Sequence, residues 1–297
     1  GMIYASVLHA SVEGERPVEI NDAEALKVSG VDQIVILDNA VAVLGSTIEA
    51  THQGKKLLEV EWTSDAPARA WNSDETLSRY STVANDVSQT GTVWHEEGDF
   101  DSAFEGADRQ VAVEYLSDYV YHAQMEPLNA IASVNPAGDG AEIWCGTQSQ
   151  TLTVMAVATE LKTTLEKIKL NQMLLGGGFG RRAELKPTYL IHAVQLSKQI
   201  GKPVKVIWSR EDDLSNGWFR PATAQLMRAG IDEQGEVVAW SHRVAGPSVL
   251  QFYNSRRWDM TGGKDIVSMH GAEIPNYGIA NINAEHLITE RAARLAP

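Results

Sequence analysis

The chain is nearly without cysteine: Cys145 is the only one in 297 residues. That excludes an internal disulfide, a Cys-ligated zinc site and a cysteine-held iron–sulfur cluster within the chain. Long apolar runs are missing too, with none approaching the roughly 18 residues of a membrane span. Basic residues are scarce, 25 against 39 acidic, and the net charge of −14 argues against a nucleic-acid partner, which needs clustered Lys and Arg. The eight histidines lie apart, without HExxH or paired spacing, which argues against zinc. A G-x-S-x-G elbow is absent, which weakens a serine hydrolase. No charged-then-apolar leader opens the chain, and Gly1-Met2 reads as a remnant of tag removal ahead of a start or internal methionine.

What is present suits a globular α+β protein of two domains. Hydrophobic residues make up 43% and charged residues 22%, and 297 residues exceed the size at which single cores stop growing, about 250 to 300 residues. Residues 1–100 hold 6 basic and 17 acidic side chains, so most of the negative charge lies in that third. The first 62 residues read as a small α+β unit. It holds a strand over Met2–Val12, a short helix in AEALKV, a strand pair turning at Asp38-Asn39, a helix capped by Ser46 or Thr47, and a strand ending at Trp62. From 63 to 99 the periodicity dissolves into polar residues with scattered aromatics, which reads as a linker. Residues 100–297 form the second domain. Its strands run through RQVAVEY, LNAIASV and AEIWCGTQ, followed by a helix with Leu152, Met155, Val157, Ala158 and Leu161 on one face. The strand LEKIKLNQMLL, a glycine loop, a helix closed by Gly201, the strand VKVIWS and a hairpin turning at Asp232 to Gly235 follow. The last fifty residues show only short apolar runs.

The loop LLGGGFGRR, Leu174 to Arg182, is the chemical feature of this order. Glycines between a strand and a helix let backbone N–H groups converge on an anion, and Arg181 and Arg182 add fixed positive charge. The loop lacks the Gly-Lys-Ser/Thr ending of a P-loop and the G-x-G-x-x-G spacing of dinucleotide folds. On composition alone, a loop that merely lets helix and strand pack closely is an equal reading, and a nucleotide-binding loop is a weaker third.

Several ordered motifs shift that balance. GGGFG after a strand, preceded by IWCGTQSQ and followed by GKPVKVIWSREDD, resembles the molybdenum-binding subunit of the xanthine dehydrogenase and aldehyde oxidase family. The ending GRR with HAQMEPLNA is similar to the isoquinoline 1-oxidoreductase β-subunit branch. The resemblance implies a hammerhead domain over 1–62 and the first molybdopterin-binding domain over 100–297, with a second such domain outside this chain. By match it places Gln148, Gly177, Gly178, Phe179, Gly180 and Arg181 at the cofactor, with no direct metal ligand from the protein. Phe179 and, more weakly, Glu126 would line the substrate pocket. Arg181 departs from the family's usual glycine, and Ala183 stands where many relatives carry a substrate-orienting glutamate.

The chemistry implied is oxidative hydroxylation of an aldehyde or N-heterocycle, with water as oxygen source. The cofactor would be molybdopterin in its cytosine dinucleotide form, and the partners a small subunit with two-iron two-sulfur clusters and a cytochrome acceptor. The family's catalytic glutamate sits in a Gly-Glu motif near the subunit's C-terminus. Neither Glu126 nor Glu273 lies in such a motif, so the chain reads as a fragment, inactive alone. A binding or assembly module that keeps the fold without the metal is the alternative. The bland readings are a hydrogen-bonded turn for Glu126, a solvated charge run for Arg210 to Asp213 and a buried small residue for Cys145. The branch is bacterial, periplasmic or cytoplasmic.

Overall fold

The computed structural model describes residues 1–272 and 276–295. The chain divides into two compact units: Gly1–Ala70 with Tyr121–Trp218, and Trp71–Val120 with Phe219 onward.

The first unit is built on a seven-stranded sheet. Its order is Ile168–Gln172, Ala141–Cys145, Asn129–Val134, Val204–Ile207, Ile3–His9, Ala40–Gly45 and Val31–Leu37. Ala5, Val7, Leu44, Ile143 and Val206 point from it into one core with Val157 and Leu161 of the helix Gln150–Leu161 and Leu190, Ala193 and Val194 of the helix Thr188–Ile200. Each fully buried Leu or Val contributes about 1.5–3 kcal/mol. Both helices end in the left-handed region, at Lys162 (φ 54°) and at Gly201 (φ 65°). Thr47 caps the helix Ile48–Lys56 by accepting from the Ala50 N–H at 3.2 Å. The boundaries expected at 62 and 99 do not coincide with this division, because the strands of 3–45 share a sheet and a core with those of 129–207.

The second unit is a five-stranded sheet in the order Thr92–Glu97, Asn281–Thr289, Val237–Pro247, Thr223–Ile231 and Arg109–Ser117. The expected hairpin is present, its turn closed by Gly235 N–H to Asp232 O at 3.0 Å. The segment 63–99 differs from the expected linker, since it contains the helix Ser73–Asn85 and the strand Thr92–Glu97. Asn72 caps that helix through the N–H groups of Asp74 and Glu75 at 3.1 and 3.2 Å. Its buried face is Thr76, Tyr80 and Ala84, too polar and small to show as hydrophobic periodicity. The strand Asn281–Thr289 was hidden likewise, because it buries Glu285 and His286. AEALKV forms only a 3₁₀ turn, Ala25–Lys27.

Candidate functional site

Gln148 and the glycine loop meet because of strand order. Ala141–Cys145 and Ile168–Gln172 are parallel neighbours joined by the helix Gln150–Leu161. Both strands therefore run out at the same end of the sheet, so the segments after them emerge together. The register pairs Cys145 with Gln172, so Gly146–Gln148 and 173–180 emerge side by side.

Gln148 is bonded into the loop. Its Oε1 accepts from the Gly180 N–H at 3.1 Å and the Arg182 N–H at 3.2 Å, and its own N–H donates to Arg182 O at 3.0 Å. A Cβ on Gly178 would overlap the Gln148 Cδ and Oε1 and come within 2.8 Å of Cγ, so only glycine permits this approach. Gly177 has φ 92°, and a Cβ there would lie 2.9 Å from Phe179 Cε2. Phe179 itself is held at φ 53°, a costly conformation for an aromatic residue and one that concentrates at functional sites.

Beneath the loop lies a brace. Glu126 Oε2 accepts from the Gly176 N–H at 3.1 Å and from Arg182 Nη2 at 2.8 Å, while Oε1 accepts from Asn129 Nδ2 at 3.0 Å. Burial alone would raise the Glu126 pKa. The hydrogen bonds from Asn129 and Gly176 and the charge of Arg182 outweigh it and hold the carboxyl below its ordinary value. A carboxylate so committed is a poor base, and the position works as a tie between the 122–127 segment and the loop. Arg182 also reaches Glu126 O at 2.9 Å and Gly146 O at 3.3 Å. Arg210 and Asp213 extend the brace and are not a solvated charge run. Arg210 Nη2 donates to Gln124 O at 2.6 Å and Met125 O at 2.9 Å, and buried Asp213 accepts from Gln124 Nε2 at 2.9 Å. Gln124 was not foreseen, since nothing in sequence links it to a partner 89 positions away.

The two arginines are placed otherwise than their composition suggests. Arg181 is fully buried and Arg182 is 2% exposed. Arg181 pairs with Glu184, and Arg182 with Glu126. Burying a guanidinium requires such pairing, so both charges are neutralised internally. Cys145 is buried, and its thiol is pushed up to about 11 by desolvation.

The loop still fits an anionic, oxygen-rich group. The N–H groups of Gly177, Gly178 and Phe179 have no hydrogen-bond partner among the described residues, nor does the exposed Nε2 of Gln148. Consecutive free N–H groups form an anion-binding concavity. Leu174, Met125 and Phe179, 98%, 85% and 70% exposed, add apolar surface from the same two segments. Among the described residues no cluster of three His, Cys, Asp or Glu could hold a metal directly. Glu273 lies outside the described residues.

Residues 83–248 match the molybdopterin cofactor-binding domain family. The chain is 35% identical over 267 residues to the isoquinoline 1-oxidoreductase subunit beta of Brevundimonas diminuta, covering 86% of this chain and 34% of that one. It is 32% identical over 255 residues to a membrane-bound aldehyde dehydrogenase of Gluconacetobacter polyoxogenes named for pyrroloquinoline quinone, covering 82% of this chain and 32% of that one. The crystal structure of quinoline 2-oxidoreductase from Pseudomonas putida 86 superposes with a TM-score of 0.72 at 17% identity, over 100% of this chain and 42% of that one. The chain thus spans about a third of the length of these curated relatives. With a domain match over more than half its length, the chain belongs to the molybdopterin cofactor-binding domain family.

Proposed function

We propose that this chain is part of the large subunit of a molybdenum hydroxylase, which oxidises an aldehyde or an N-heterocycle with oxygen taken from water. The observation that carries this is the Gln148 side chain tied to the Gly180 and Arg182 N–H groups, directly over a Gly178 that admits no Cβ. In this reading Gln148, Gly177, Gly178, Phe179 and Gly180 hold the molybdenum cofactor, in its cytosine dinucleotide form. The cofactor, when bound, supplies a two-electron acceptor and the site for oxygen transfer.

The chain's own residues do the positioning. Gln148 offers Nε2 as a donor, and the free N–H groups of Gly177 to Phe179 offer negative charge a cradle. Phe179 closes one side of the substrate pocket. Arg181 supports the loop from inside through Glu184, and Glu126 does so through Arg182. The catalytic base is a glutamate supplied by a second cofactor-binding half. Electrons leave to a small subunit with two-iron two-sulfur clusters and then to a cytochrome. The host compartment is the bacterial periplasm or cytoplasm, and no helix among the described residues is long and apolar enough to cross a membrane.

The test is isotopic. With the second cofactor-binding half and the small subunit of a related enzyme co-expressed, turnover of benzaldehyde or isoquinoline in ¹⁸O-water should place the label in the product. Product that forms without the label contradicts the hydroxylase reading.

A further inference from the structure

We propose that the unit formed by Trp71–Val120 and Phe219 onward carries a second small-molecule site, for a monocarboxylate that bears a hydroxyl or N–H donor on an apolar body. It lies in a cavity of about 590 Å³, a size typical of small-molecule sites, and is built without any residue of the glycine loop.

One wall is a hydrogen-bonded row on a single face of the sheet. His242 Nε2 lies 2.9 Å from Gln225 Oε1, Gln225 Nε2 lies 3.1 Å from Thr223 Oγ1, and Thr223 Oγ1 lies 2.8 Å from Ser117 Oγ. An amide oxygen only accepts, so His242 Nε2 carries the proton and the ring's other nitrogen is the acceptor. That Nδ1 has no partner among the described residues, although His242 is only 7% exposed and lines the cavity. Desolvation lowers the His242 pKa, which keeps the ring neutral and its lone pair available near neutral pH. A fixed acceptor of this kind selects a ligand that brings a donor.

The second anchor is Arg220, which is exposed, lines the same cavity and has no partner among the described residues. Its planar fork matches a carboxylate in two hydrogen bonds. Asp118 shares the lining and repels a second negative charge, which limits the ligand to one. Val244, Val249 and Val267 complete the wall and receive the apolar body.

The experiment uses the 297-residue chain, ¹⁵N-labelled at histidine, titrated with 4-hydroxybenzoate and followed through the ring nitrogens by NMR. The site predicts a saturable shift of His242 Nδ1, binding at least tenfold weaker in Arg220→Gln, and weaker binding of benzoate, which lacks the hydroxyl. The exposed Arg220 side chain makes no hydrogen bond or ion pair among the described residues, so its substitution is expected to leave the spectrum dispersed. Either no saturable His242 shift, or equal affinity in wild type and Arg220→Gln, overturns the proposal.

Discussion

The sharpest consequence of the loop geometry concerns Gly178 and Gln148 together. In Gly178→Ala the new Cβ occupies the volume of the Gln148 carboxamide, which must swing outward. The Gly180 and Arg182 N–H groups then lose their acceptor. At about 0.5–1.5 kcal/mol per net hydrogen bond, the loss is about 1–3 kcal/mol. The backbone at 178 lies outside the left-handed region, so alanine itself adds no strain and returns about 0.4–1 kcal/mol by restricting the unfolded chain. Gln148→Ala loses the same two bonds without any clash. In that background Gly178→Ala therefore becomes neutral or slightly stabilising, and the two changes couple by about 1–3 kcal/mol, as contacting residues do. Urea unfolding of the four proteins gives the coupling, and amide hydrogen exchange at Gly180 and Arg182 localises it. Additive effects, or unchanged exchange at those two amides in Gly178→Ala, would refute the reasoning.

Other consequences follow from the braces and the exposed edge. Because the folded Glu126 pKa lies below its ordinary value, the stability it contributes is present above that value and is lost as pH falls through the depressed one. Glu126→Gln should therefore flatten the acid limb of an unfolding curve recorded between about pH 5 and 3, and an identical limb in both proteins would contradict this. Arg243 is buried, paired with Glu285 and bonded to Asp86 O and Gln89 O at 2.9 and 3.0 Å. Arg243→Met strands the Glu285 charge and should cost about 3–5 kcal/mol by thermal or urea unfolding, whereas a cost below 1 would contradict burial of the pair. The edge strand Arg109–Ser117 exposes Val113, Tyr115 and Leu116, so concentrated protein should self-associate in light scattering, and Tyr115→Lys should reduce it.

The parts legible in sequence were those where one local pattern carries the information. The Gly201 stop, the Thr47 cap and the Asp232 to Gly235 turn are each decided within about four residues. The glycine loop stood out for a similar reason, but glycine content alone left a ligand cradle and close helix–strand packing as equal readings. The helix Ser73–Asn85 was not, because tertiary contacts bury a polar-looking face of Thr76 and Tyr80. The fate of the arginines was hidden for a related reason. Whether Arg182 faces solvent or ties down the loop depends on Glu126, 56 residues earlier, and only the fold brings them together. The division into units was obscured because its two pieces interleave along the chain.

Elemental analysis for molybdenum tests the central claim most directly, on this chain co-expressed with the second cofactor-binding half of a related subunit, in wild type and Gly178→Ala. The account predicts molybdenum bound stoichiometrically in the co-expressed wild type and markedly depleted in Gly178→Ala of equal solubility. Absence of molybdenum from both, under conditions where a related enzyme loads, would contradict it.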